Sequence, residues 1–142
     1  MDVSILLPFI VFLPGVMFAA FGLGWLLGWQ PSERTVVRAT ASGFVTMTLA
    51  AVWLSLQMLS SGQTQFQVSL GDWFSAREYH FHLTLVADRL SLSLIALSCI
   101  LIGVVGSFSK RYLHRDPGFL RFFLLLQLFA FGILLLFAAG SF

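Results

Sequence analysis

Four long stretches of the chain are apolar, and each is long enough to cross a membrane as a helix. They cover about residues 3–27, 39–59, 90–109 and 119–140, with charged side chains confined to their ends. A helix of about 20 apolar residues spans the hydrocarbon core of a bilayer. The pattern therefore predicts an all-α integral membrane protein with four transmembrane helices, forming a single membrane domain over residues 1–142.

Between the second and third apolar stretches, the pattern changes from a helical period to a period of two. Apolar and polar side chains alternate over about residues 64–86. The alternating apolar positions are Phe66, Val68, Leu70, Tyr79, Phe81, Leu83 and Leu85. This period indicates two β-strands, and we predict that Gly71, Asp72 and the residues up to Glu78 connect them. We therefore expect an extramembrane β-hairpin between the second and third helices.

The composition supports a membrane protein and excludes an ordinary soluble domain. Hydrophobic residues make up 58% of the chain and charged residues 10%, and the mean hydropathy is +0.93. A soluble domain carries roughly 25% charged residues. The net charge of +2 comes from basic residues in short loops, whereas a nucleic-acid-binding protein gathers them on one soluble face. We therefore expect the lipid bilayer as a partner and no nucleic acid.

Lysine and arginine are distributed unequally between the two predicted sides of the membrane. Six lie in the loops at about 30–38 and 110–118 or at the start of the fourth helix, and two lie on the hairpin side. The six are Arg34, Arg38, Lys110, Arg111, Arg115 and Arg121, and the two are Arg77 and Arg89. Cytoplasmic loops carry the excess of basic residues. We therefore expect a multi-pass protein of the cell inner membrane, with both loops cytoplasmic and with the hairpin and both termini outside.

Few residues could carry chemistry. His80 and His82 would share one face of the second strand, a spacing that can bind a metal, but no third ligand is close in sequence. Cys99 belongs to a stripe of small residues that favours close helix packing. A proton path needs ionisable groups inside the membrane, and no Asp, Glu, Lys or His lies mid-span. We predict no catalytic residue, no cofactor and no metal site.

Two aspartates stand where helices are predicted to begin. Asp88 directly precedes the third span and can cap its free amides. Asp116 and Pro117 precede the fourth span, a capping carboxylate followed by a residue suited to the first helical turn. Arg121 would lie in that first turn, where the helix dipole disfavours a cation. Lipid headgroups or pairing with Asp116 would compensate.

These two stretches resemble a known family. Residues 87–92, ADRLSL, resemble the "VD-x-LS" start of the third helix in the antiporter-like, L-type (chain 5) membrane subunits of respiratory complex I. Residues 108–123, FSKRYLHRDPGFLRFF, resemble that family's "YS-x-x-Y-(M/L)-x-x-DP-x-x-x-RFF" loop. The matching motif residues, for which we expect a structural role, are Asp88, Leu90, Ser91, Tyr112, Asp116, Pro117, Arg121, Phe122 and Phe123.

The resemblance implies the N-terminal scaffold portion of a proton-translocating subunit in an NADH:quinone oxidoreductase-type complex. In this family, later segments carry the intramembrane glutamate, lysines and histidines that relay protons. We therefore expect a fragment or one piece of a split subunit, without catalytic activity of its own. Its implied partners are other membrane subunits, including the rest of the antiporter-like subunit, and a cytoplasmic redox arm.

Other functions also fit the sequence. The wider family includes the A-type component of multisubunit sodium/proton antiporters and the membrane component (DabB type) of inorganic-carbon uptake complexes. The second of these pairs with a zinc protein resembling carbonic anhydrase. A small helical assembly protein, with no transport role, is the remaining interpretation.

Overall fold

The computed structural model describes residues 3–76 and 79–139, and this part of the chain contains four helices and one β-hairpin. In chain order the elements are α1 (Val3–Leu26), α2 (Glu33–Ser61), β1 (Gln65–Ala76), β2 (Tyr79–Asp88), α3 (Arg89–Tyr112) and α4 (Phe119–Ala138). Each helix is long and apolar enough to cross a membrane. The four predicted helices, and the hairpin between the second and third, are therefore confirmed.

The second helix begins six residues earlier than predicted, at Glu33 instead of residue 39. Ser32 is its N-cap, because the Ser32 hydroxyl accepts a hydrogen bond from the Thr35 amide at 3.2 Å. The Glu33 carboxylate is also favourable at the positive end of the helix dipole. The 29 residues of α2 extend about 43 Å, which exceeds the roughly 30 Å of the hydrocarbon core. Hydropathy marks only the part of the helix inside that core, so it misses the first residues of α2.

The other helix ends lie closer to their predicted positions. The third helix continues through Lys110 and Arg111 to Tyr112, so these two cations belong to its last turn and not to a loop. Cations are favourable there, at the negative end of the helix dipole. The fourth helix ends at Ala138, and the predicted end at Gly140 lies outside the described residues.

The hairpin is a two-stranded antiparallel sheet in which Gln65–Ala76 pairs with Tyr79–Asp88. The predicted connection starting at Gly71 and Asp72 is wrong, because β1 continues through both residues. The strand register shifts on either side of Asp72, and Gly71 has a φ of +97°. Such a bulge breaks the alternation that marks a strand, so the sequence resembled a turn at this point.

The helices pack as two antiparallel pairs, α1 with α4 and α2 with α3, and α3 also contacts α4. The largest fully buried side chains come from all four helices and from β2. Among them are Leu7, Ile10, Met47, Leu54, Leu85, Leu92, Ile95, Phe123 and Leu134. Every helix also exposes large apolar side chains, as expected for surfaces that contact lipid and not water.

Small residues set the closest approaches between helices. At Gly43 of α2, an added Cβ would lie 2.8 Å from the sulfur of Met17, so a side chain at this position would displace the Met17 side chain of α1. The predicted stripe of small residues on α3 also contacts α2. Cys99 of this stripe is buried, and an added Cβ at Gly103 would lie 3.5 Å from the Phe44 Cβ.

Candidate functional site

The first motif stretch forms the junction between the hairpin and α3. The Asp88 carboxylate accepts a hydrogen bond from the Ser91 amide at 2.6 Å, and the Ser91 hydroxyl accepts one from the Asp88 amide at 3.4 Å. This capping box satisfies two backbone donors that a helix start leaves free. The predicted capping by Asp88 is confirmed, whereas Leu90 beside it is exposed.

The second motif stretch forms a turn before α4, and Asp116 is not the helix cap. The Asp116 carboxylate accepts a hydrogen bond from the Gly118 amide at 2.6 Å, and Gly118 is the N-cap, without a side-chain hydrogen bond. The predicted helix start at Asp116–Pro117 is therefore wrong. An aspartate bonded to the amide two residues ahead closes an Asx-turn, and the helix begins only after that turn.

A carboxylate from the start of α2 holds this turn in place. Glu33, the first residue of α2, accepts a hydrogen bond from the Arg115 amide at 2.9 Å and lies 2.8 Å from Nδ1 of His114. This contact ties the start of α2 to the loop between α3 and α4. Sequence reasoning missed it. The expected topology places both loops on one side of the membrane, but nothing in the pattern selects Glu33 as the partner.

The Arg115 backbone is left-handed, with a φ of +63°. This conformation costs an L-residue roughly 1–2 kcal/mol, and few residues other than glycine adopt it. The hydrogen bond from its amide to Glu33 fixes the backbone in this position. The loop is therefore a specific, strained connection and not a flexible linker.

The remaining motif residues fall into a buried and an exposed group. Phe123 is 1% exposed, and its ring packs 4.8 Å from Phe119 and 5.6 Å from Phe122 between centroids. It anchors the start of α4 in the core. Tyr112 and Arg121 are exposed, and the described part of the chain shows no ion pair between Arg121 and Asp116.

One polar contact lies deep between the helices. The Gln127 amide of α4 donates a hydrogen bond at 3.1 Å to the Thr40 hydroxyl of α2, and both residues are buried. The Gln127 carbonyl oxygen has no partner in the described part of the chain. Other hydroxyls of α2 donate to carbonyls of their own helix, as Thr48 does to the Phe44 carbonyl.

The site contains helix-start contacts, a strained loop and a polar pair, and these arrangements position helices. Within the described residues, no group of three His, Cys, Asp or Glu side chains could hold a metal ion. The side chains of His80 and His82, the histidine pair noted in the sequence, lie outside the described part.

Comparison with known proteins agrees with these motifs. Residues 73–123, which contain both motif stretches, match the family described as NADH-Ubiquinone oxidoreductase (complex I), chain 5 N-terminus. The chain is 23% identical over 138 residues to NADH-quinone oxidoreductase subunit L of Escherichia coli (strain K12), covering 97% of this chain and 21% of that protein.

Two further relatives carry similar names. Subunit L of the NADH-quinone oxidoreductase of Campylobacter jejuni is 28% identical over 140 residues, which cover 99% of this chain and 20% of that protein. The NAD(P)H-quinone oxidoreductase chain 5 of Synechocystis is 28% identical over 90 residues, which cover 63% of this chain and 12% of that protein.

The chain thus spans about a fifth of the length of the two subunit L relatives. Their alignments cover nearly all of it, and its motifs form the helix starts and the loop described above. The described part of the chain has four helices that could each cross a membrane. The chain is similar over residues 73–123 to the family of the complex I chain 5 N-terminus, and over nearly its whole length to two L subunits of NADH-quinone oxidoreductases.

Proposed function

We propose that this chain is the N-terminal scaffold of a proton-translocating, antiporter-like subunit in an NADH:quinone oxidoreductase-type complex. The observation that carries the proposal is the alignment of nearly the whole chain with two L subunits of NADH-quinone oxidoreductases. All three relatives reported above are quinone oxidoreductase subunits by name. This favours the respiratory function over inorganic-carbon uptake and over a separate assembly protein.

A scaffold role suits the distribution of charge in the helices. The Asp, Glu, Lys and Arg side chains of α1 to α4 lie only near helix ends, whereas proton relays place such groups inside the membrane. The helix-start contacts at Asp88 and the link from Glu33 to the α3–α4 loop fix where the helices begin. We infer that these helices pack against the proton-conducting helices of the complex.

The proposed orientation follows from the excess of basic residues around α2 and the α3–α4 loop. We place residues 30–38 and 110–118 in the cytoplasm, and the hairpin and both termini outside the inner membrane. In this orientation, the loop held by Glu33 faces the side on which a redox arm would bind.

Replacement of Arg121 tests the structural role of the motif. Arg121 is exposed in the first turn of α4, where the helix dipole opposes its charge, so the fold of this chain does not require it. We expect Arg121→Ala to lower the amount of assembled complex, measured on native gels, in proportion to the loss of NADH-driven proton pumping. The control is Arg111→Ala, which removes an exposed cation on the same side of the membrane.

Three other outcomes would overturn parts of the proposal. A normal amount of complex with a specific loss of pumping would give Arg121 a direct part in transport. Full pumping after deletion of the whole chain would support an assembly role instead. Co-purification with a zinc protein, and without flavin or iron–sulfur proteins, would favour inorganic-carbon uptake.

A further inference from the structure

An open groove runs between α2 and α3 near the end that carries the α3–α4 loop. Most of its lining residues are apolar, such as Ala41 and Phe44 on α2 and Gly103 on α3, and the polar ones are Thr40, Ser107 and Lys110. Phe123 of α4 also lines it. The groove is deep at this point because the facing positions on α3 carry small side chains or none.

A single charged side chain, that of Lys110, lines the groove. Lys110 is in the last turn of α3, 21 residues after Arg89 at the other end of the helix. At 1.5 Å per residue, the two cations stand about 32 Å apart, close to the roughly 30 Å of the hydrocarbon core. Lys110 therefore lies at the level of the lipid headgroups.

Further positive charge lies beside the mouth of the groove. Arg38 and Arg34 precede Ala41 by three and seven residues on α2, which places them on the same helical stripe as that groove residue. Two carboxylates belong to this end of the helices, and both are hydrogen-bonded. Glu33 contacts His114 and the Arg115 amide, and Asp116 contacts the Gly118 amide. Neither of them lines the groove, whereas Lys110 does.

We propose that this groove binds one acyl chain of an anionic phospholipid, whose phosphate pairs with Lys110. The apolar walls match a hydrocarbon tail, and a basic pocket between membrane helices at the headgroup level matches an acidic headgroup. A partner helix is a poorer fit, since it measures about 10 Å across with its side chains. This proposal rests on the geometry of α2 and α3 and is independent of the function proposed above.

Lipid retention by the full chain tests the proposal. The purified chain is titrated with phosphatidylglycerol or with phosphatidylcholine, and the bound lipid is counted by native mass spectrometry. We expect wild type to retain one phosphatidylglycerol in preference to phosphatidylcholine. A cation near the membrane surface strengthens the binding of an anionic lipid. Lys110→Gln should therefore weaken phosphatidylglycerol binding about fivefold. Arg111→Gln, which removes the neighbouring charge outside the groove, should leave it unchanged.

A second pair of variants tests the groove itself. Ser107 is exposed at the groove, so Ser107→Leu fills it without disturbing the core, and both lipids should be lost. Ser42→Leu makes the same change at an exposed site of α2 away from the groove and should have no effect.

Three outcomes would overturn the proposal. Equal loss in Lys110→Gln and Arg111→Gln would mean only diffuse attraction between the lipid and this side of the protein. Retention of lipid by Ser107→Leu would place the bound lipid elsewhere. Failure of wild type to retain lipid, together with loss of partner subunits in Ser107→Leu, would show that the groove seats a protein helix.

Discussion

The carboxylate of Glu33 joins the start of α2 to the α3–α4 loop. Its partners, His114 and Arg115, lie 81 and 82 positions later in the sequence. One of its oxygens accepts the Arg115 amide and the other meets His114. The sequence identified the basic loop and its Asp-Pro turn but not this contact, because exposed polar pairs leave no periodic signal. The same limit hid the left-handed Arg115, since arginine rarely adopts that conformation.

The strain at Arg115 can be measured with two substitutions that both remove its charge. Asn tolerates a φ near +63°, whereas β-branched Val does not. We expect the free energy of unfolding in detergent to be about 1 kcal/mol higher for Arg115→Asn than for Arg115→Val. Equal values would mean that the loop relaxes without cost, and that the bond to Glu33 holds no strained backbone in place.

At the scale of the elements, hydropathy located every helix but not every helix boundary. The start of α2 depends on the Ser32 cap and the start of α4 on the turn at Asp116, and both lie outside the apolar pattern. The bulge in β1 was likewise hidden, because a register shift resembles the end of a strand. Capping and bulges are local hydrogen-bond geometries, whereas hydropathy reports only where lipid begins.

The contact between α2 and α4 is tested by a double-mutant cycle at Thr40 and Gln127. Thr40→Val leaves the buried Gln127 amide without a partner, which should cost about 1–3 kcal/mol of unfolding free energy. In Thr40→Val/Gln127→Leu both polar groups are gone, so much of that loss should return. We expect a coupling energy of about 0.6 kcal/mol or more, in the range found for hydrogen bonds between membrane helices.

The control for this cycle is Thr48→Val paired with Gln127→Leu. Thr48 donates to a carbonyl of its own helix, so its coupling to Gln127 should be near zero. Equal coupling at both threonines would mean that the measurement reports general loosening of α2 and not the hydrogen bond.

At the scale of the whole molecule, the pairing of helices was not predictable from the sequence. Each helix carries apolar side chains around most of its circumference, so hydropathy cannot tell a protein-facing side from a lipid-facing one. The close approaches depend on single small residues, as Gly43 shows against Met17. The stripe of small residues on α3 was visible in the sequence as a packing feature, because such a stripe permits close approach of another helix.

The orientation in the membrane is tested by accessibility labelling of engineered cysteines in intact cells. Ser69 of β1 and Gln30 before α2 are both exposed and lie at opposite ends of the helices. The single native cysteine, Cys99, is 1% exposed and should not react, so it can remain in place. We expect an impermeant maleimide to label Ser69→Cys from outside and to label Gln30→Cys only after the membrane is opened. The reverse pattern would show that the six basic residues near the two loops do not set the topology. The α3–α4 loop held by Glu33 would then face away from any cytoplasmic partner.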